Sequence, residues 1–292
     1  MEIRMQPRTG NGQRCVQFDL DISPSAKTLE YTDYLKNRVQ IFDVPGRHER
    51  LAIRTESIVE IKPSLPLPDG LPDDAWQQIE TAIRDRDLFD MLLPSKFAHV
   101  TPLLEQLTEE IHIDRAEDPI RLLCKLNKAI YDRFDYIQNV TAADSPIDIA
   151  LEKRLGVCQD FAHIMIAICR DSGIPCRYVS GYLFQRTDED RSAADATHAW
   201  VEAWLPGLGW TGFDPTNNLV CNEQHVTVAI GRDYADVPPT KGVFRGDATS
   251  KLTVEVKVAD LDELPTIHET QAPEIILPQL NLLAAQQQQQ QQ

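Results

Sequence analysis

The sequence has no apolar run of membrane-spanning length, no dense block of Lys and Arg, and no two cysteines spaced as Cys-x-x-Cys. The first absence argues against a transmembrane helix, which needs about 20 consecutive apolar residues. Basic residues are scarce throughout, 29 Lys and Arg against 45 Asp and Glu, for a net charge of -16. Most of such a surface repels phosphate, so neither nucleic acid nor a membrane surface is expected as a partner. Six cysteines (Cys15, Cys124, Cys158, Cys169, Cys176, Cys221) are scattered over 292 residues, which fits reduced thiols better than a disulfide framework. The stretch from Met1 to Gln17 has scattered charges where a secretory peptide needs an apolar block, so a cytoplasmic location is expected.

What is present is a globular composition, 42% hydrophobic, in a chain long enough for two domains. Val16 to Ile22 and Leu51 to Ile61 alternate apolar and polar residues with the period of a half-buried strand, and Val39 to Val44 is a shorter candidate between them. A β-rich unit over residues 1–95 is expected, with the Pro-rich stretch from Lys62 to Gly70 closing its strands. From about Trp76 the pattern turns helical. Asp118-Pro119 reads as an N-cap with proline at the first helical position, and Leu122, Leu123, Leu126, Ala129 and Ile130 then share one face. A second helix is expected over Gly156 to Arg170, with Phe161, Ile164, Met165 and Ile168 inward and Gly173 as its stop. Strands are expected over Cys176 to Phe184, His198 to Leu205 and Gly209 to Phe213, the last two joined as a hairpin across Pro206 to Gly209. Lys251 to Val258 alternates perfectly and predicts a further strand, placing a second unit over residues 96–260. Residues 261–292, ending in glutamines from Gln286 to Gln292, read as a disordered low-complexity tail.

The chemistry concentrates at three residues. Cys158 stands at the start of a predicted helix, where unpaired N–H groups and the helix dipole favour a thiolate and could hold an oxyanion. A cysteine there, taken alone, is better explained as a small buried hydrophobe. His198 and Asp214 change that balance, because one hairpin carries both. A nucleophile on a helix with a base and an orienting carboxylate on neighbouring strands is what thiol acyl transfer needs. Symmetric closure of the hairpin would put Asp214 opposite Val201, on the wrong face for His198. A one-residue shift, through a three-residue loop or a bulge at Gly209 or Gly212, puts it opposite Trp200 and on the right face, and that shift is predicted.

Four ordered motifs carry a family resemblance: Gly156-Val-Cys-Gln-Asp-Phe-Ala-His163, Gly173-Ile-Pro-Cys-Arg-Tyr-Val-Ser-Gly-Tyr182, His198-Ala-Trp-Val-Glu202 and Gly209-Trp-Thr-Gly-Phe-Asp-Pro-Thr-Asn217. Together, over roughly Phe97 to Gly242, they resemble the bacterial transglutaminase-like cysteine proteases, whose superfamily also holds animal transglutaminases and peptide N-glycanases. The resemblance implies an α+β fold, with a papain-like transglutaminase core of helices packed on an antiparallel sheet, preceded by a β-sandwich-like N-terminal domain. It implies a Cys158-His198-Asp214 triad acting on a protein or peptide substrate. Family members usually carry a further strand or two before the Arg4 to Arg8 region, so the N-terminal unit is expected either to lack an edge strand or to start upstream.

Other residues have plainer readings. Asp160 is expected to bond N–H groups of the first helical turn or to anchor a neighbouring loop, and His163 to be a packed or surface histidine. Cys158, Cys169 and Cys176 with a histidine lack metal-ligand spacing, so no metal and no cofactor is expected. Trp200, Trp204 and Trp210 read as sheet packing. Gln138 and Gln159 are both open as oxyanion donors. Hydrolysis of an amide, transfer of its acyl group to an amine, and a non-catalytic scaffold that uses the same groove to bind protein all remain compatible with the residues.

Overall fold

The computed structural model describes residues 1–84, 86–185, 191–192, 196–244, 251–261 and 275–276. The N-terminal part holds β1 (Glu2–Ile3), β2 (Gln13–Ser23), β3 (Thr28–Thr32), β4 (Arg38–Phe42) and β5 (Arg50–Ile61). Its long element is the antiparallel ribbon of β2 and β5, paired from Gln13↔Ile61 to Ser23↔Ala52 with a register shift between Cys15 and Gln17. The two alternating stretches read from the sequence are the two arms of this ribbon. Ile3, Ile22, Phe42 and Leu51 form a small separate core beneath it.

Helices then follow: α1 (Ala75–Ala82), α2 (Arg86–Asp90), α3 (Pro102–Glu110) and α4 (Pro119–Arg133). Asp118 caps α4 as expected, its Oδ1 accepting from the N–H groups of Ile120 and Arg121. Two short parallel strands, β6 (Asp135–Tyr136) and β7 (Leu155–Gly156), flank α5 (Ile147–Lys153) and lead directly into α6 (Cys158–Asp171). α6 is buried on all sides from Phe161 to Ile168, not only along the predicted stripe. Each fully buried apolar side chain of this size contributes about 1.5–3 kcal/mol, which makes α6 the axis of the main core.

The second, five-stranded sheet is antiparallel, formed by β8 (Cys176–Leu183), β9 (His198–Leu205), β10 (Gly209–Asp214), β11 (Leu219–Val220) and β12 (His225–Gly231), in the order β11-β10-β9-β8-β12. Tyr178, Ala199, Val201, Ala203 and Phe213 join the core around α6. Val179, Trp200 and Ile230 form a second cluster with Leu35 of the N-terminal part packed against it. After a 3-10 turn (Tyr234–Asp236), β13 (Thr240–Lys241) pairs with β1, so the N-terminal sheet has the order β13-β1-β4-β3, and β14 (Ile275–Ile276) pairs with β5. No helix of the described residues is long and apolar enough to cross a membrane.

One strand expected from the sequence does not form. Lys251 makes an isolated bridge and residues 252–260 join no ladder, with Leu252 and Val254 well exposed. Alternation specifies a two-faced ribbon, but a strand also needs a sheet edge to pair with, and residues 252–260 make no ladder with one. The tail expected over 261–292 lies outside the described residues, apart from Leu261 and residues 275–276.

Candidate active site

Cys158 is the first residue of α6, half-buried, with Val157 in extended conformation (φ -119°, ψ 176°) before it. This entry angle is fixed by Asp160, whose Oδ2 accepts from the Val157 N–H at 2.9 Å and from Thr141 Oγ1 at 2.6 Å. Asp160 therefore does both jobs expected of it, bracing the helix start and anchoring the neighbouring loop. Burial raises its pKa, while the two hydrogen bonds work the other way. Gln159 Nε2 donates to the Ala143 carbonyl at 2.9 Å and is thus committed to the same loop.

The hairpin has the shifted register. Gly209 pairs with Leu205, Trp210 with Trp204 and Phe213 with Val201, which leaves a three-residue loop. Gly207 (φ +74°) and Gly209 (φ +72°) make that loop possible, since both adopt the left-handed conformation that a side chain resists. The register brings Asp214 to His198: His198 Nε2 lies 2.8 Å from Asp214 Oδ2, and both residues are buried. The other ring nitrogen of His198, Nδ1, is buried without a hydrogen-bond partner. Burial pulls the His198 pKa down, but the Asp214 charge and hydrogen bond, aided by the nearby Cys158, push it up to about 10. Burial likewise works against the Asp214 charge, yet His198 and His225 hold its carboxyl well below the usual carboxylate range.

Asp214 is saturated with donors. Oδ2 accepts from His198, from Asn217 Nδ2 at 2.8 Å and from His225 Nε2 at 3.3 Å, and Oδ1 accepts from the N–H groups of Thr216 and Asn217. A carboxylate so placed is ionised and fixed in rotation.

Two indoles and a glycine shape the surroundings. Trp200 packs beside His198 with ring centroids 6.0 Å apart, and Trp210 lies under the Arg177 guanidinium at 4.1 Å. Gly181 faces His198 across β8 and β9. A methyl group there would stand 2.2 Å from the Val226 carbonyl oxygen and 2.4 Å from the Trp200 ring. Gly181→Ala is therefore expected to cost about 1–3 kcal/mol by overpacking, read as a lower midpoint in urea unfolding. An unchanged midpoint would mean that the β8–β12 pairing yields more easily than its contacts indicate.

Comparison with known proteins converges with this geometry. A model of the transglutaminase-like superfamily matches residues 105–215, and one of the bacterial transglutaminase-like N-terminal region matches residues 1–60. An uncharacterized Mycobacterium leprae protein is 32% identical over 264 residues, covering 89% of this chain and 91% of that one. The chain belongs to the transglutaminase-like superfamily. A Pseudomonas aeruginosa protein-glutamine gamma-glutamyltransferase is 30% identical over 162 residues, 51% of this chain and 24% of that protein. The crystal structure of a candidate cysteine protease from Cytophaga hutchinsonii superposes with a TM-score of 0.69 at 22% identity, covering 95% of this chain and 91% of that one. That likeness is one of fold, an α+β arrangement of helices on antiparallel sheet.

Within this transglutaminase-like chain, sequence reasoning missed His225 and Asn217. Asn217 had a legible signal, three residues after Asp214 at turn spacing. His225 had only its place at the head of an alternating run, His225-Val-Thr-Val-Ala-Ile-Gly231. His163 is a packed residue, stacked on Phe97 at 5.4 Å and accepting from the Tyr234 N–H, with burial lowering its pKa to about 3. His198, Asp214 and His225 present metal-ligating atoms within 4.8 Å of one another. Those same atoms are joined through Asp214 Oδ2 by the hydrogen bonds described above.

Proposed function

We propose that the chain catalyses thiol-dependent acyl transfer from amide bonds of a protein or peptide, with water as the usual acceptor. The observation that carries this reading is the division of the His198 ring: Nε2 is held by Asp214, while Nδ1 makes no hydrogen bond and Cys158 lies close to the ring. In the first step the Cys158 thiol passes its proton to His198 Nδ1 and the sulfur attacks the carbonyl carbon, while N–H groups at the start of α6 stabilise the developing oxyanion. The His198 imidazolium then protonates the leaving amine, the C–N bond breaks and a thioester remains. Water attacks the thioester, His198 takes its proton, and the carboxylic acid product leaves as the thiol is regenerated.

A second reading is transfer to a primary amine instead of water. The relation to a protein-glutamine gamma-glutamyltransferase favours it. The two share the thioester, so trapping the acyl-enzyme and offering water or a primary amine, with mass spectrometry of the product, separates them.

Enzyme and scaffold are separated by limiting iodoacetamide at about pH 6. Cys158 is expected to react at least ~10-fold faster than the other five thiols, because the activated thiolate is the reactive species. Burial raises the pKa of Cys169 and of Cys221, which keeps both slow. Uniformly slow labelling of all six cysteines would leave the groove as a binding surface without chemistry.

A further inference from the structure

We propose that His225 is a positioning residue for the Asp214 carboxylate, extending the cluster to Cys158-His198-Asp214-His225. The inference rests on the triad reading above and adds a residue from a different strand. His225 is the first residue of β12, buried, with Nε2 3.3 Å from Asp214 Oδ2. Its tautomer follows from its other nitrogen. Nδ1 accepts the backbone N–H of Asn222 at 3.3 Å, so the ring proton sits on Nε2 and is donated to Asp214.

The ring is fixed from two further directions. Trp200 meets it edge-on with centroids 5.2 Å apart, and the Asn222 carbonyl accepts the His225 backbone N–H at 3.0 Å. The same Trp200 flanks His198, whose ring centroid is 6.4 Å from that of His225. One carboxylate oxygen thus receives two imidazole N–H groups from β9 and β12, with Trp200 packed against both rings. His225, together with Asn217 Nδ2 at 2.8 Å, holds Oδ2 on the line that keeps the His198 proton on Nε2 and leaves Nδ1 turned to the thiol.

The titratable groups facing His225 are Asp214, His198 and Cys221. Arg8, Lys62 and Arg177 line the cavity of about 250 Å³ that His225 also borders. These cations do not touch the Asp214 oxygen, so removal of His225 acts on the carboxylate through the lost donor.

The test compares full-length His225→Gln and His225→Phe with wild type. The main readout is the rate at which iodoacetamide alkylates Cys158 at about pH 6, with thermal melts as a folding control. His225→Phe is expected to slow alkylation about 10-fold, the size of one hydrogen bond to a charged group. His225→Gln still presents an N–H donor and is expected to stay within about threefold of wild type. A folded His225→Phe that alkylates like wild type overturns the proposal, as does equal slowing in both variants. Nitrogen-15 NMR of wild type keeps the question open to refutation if His225→Phe does not fold: a proton on Nε2 and none on Nδ1 is expected, and the reverse tautomer overturns it. Slow alkylation of Cys158 in wild type would count against the triad itself, a failure distinct from that of His225.

Discussion

Cys158→Ala is expected to abolish turnover, leaving less than about one part in 10³ of wild-type activity, because no other group supplies the sulfur on which the acyl intermediate forms. The variant should fold. Cys158 is half-buried at the edge of the main core, so losing its sulfur costs about 1 kcal/mol or less in packing. Circular dichroism and thermal melts should therefore overlay wild type closely while amide cleavage vanishes. Activity of a few per cent or more would place the nucleophile on another residue. A large loss of stability would mean that the thiol has a structural role that its exposure does not suggest.

Asp214→Asn should reduce the rate about 10- to 1000-fold, short of the ~10⁴ lost when a serine triad receives the same substitution. The reason lies in the donors around the carboxylate. Its two oxygens serve two sets, the N–H groups of Thr216 and Asn217 on Oδ1 and the side chains of His198, His225 and Asn217 on Oδ2. An asparagine has one carbonyl oxygen, so its amide N–H₂ must confront one set. If the oxygen keeps the turn, His198 loses its acceptor and its preferred tautomer. If the oxygen keeps His198, the turn that presents the residue loosens.

The pH profile should change in a defined direction. In wild type the imidazolium persists until pH passes about 10, since Asp214 outweighs the burial that favours the uncharged ring. Without the carboxylate charge, burial dominates and the His198 pKa falls. The alkaline limb of kcat/KM should then move to lower pH, and Asp214→Ala should be slower still. A wild-type rate and profile in Asp214→Asn would leave Asp214 as a turn residue before Pro215, with the orienting group to be sought elsewhere.

Much of this site was legible from the chain. The cap at Asp118, the start of α6 and the paired arms Val16–Ile22 and Leu51–Ile61 follow from local rules that the fold obeys. The hairpin register was readable because a face requirement on Asp214 admits only the shifted closure. His225 was not readable in the same way, because it meets Asp214 only after β12 has docked on β8, far from β10 in strand order. Lys251 to Val258 failed for the opposite reason. Its periodicity is clear, but nothing in its own residues determines whether an edge is free to receive it.

The meeting of Asp214 and His225 also constrains the shape of the sheet. β10 and β12 are three places apart in strand order, a span of ~14 Å if the sheet were flat. A 3.3 Å contact between their side chains requires the sheet to curve at this end. The shift in β12 between Thr227 and Ala229 supplies local bending, and Gly181 and Gly212 stand where Trp200 and Cys221 crowd the concave side. Curvature and charge are thereby linked: the Asp214 carboxylate has its His225 donor only because β10 and β12 come this close.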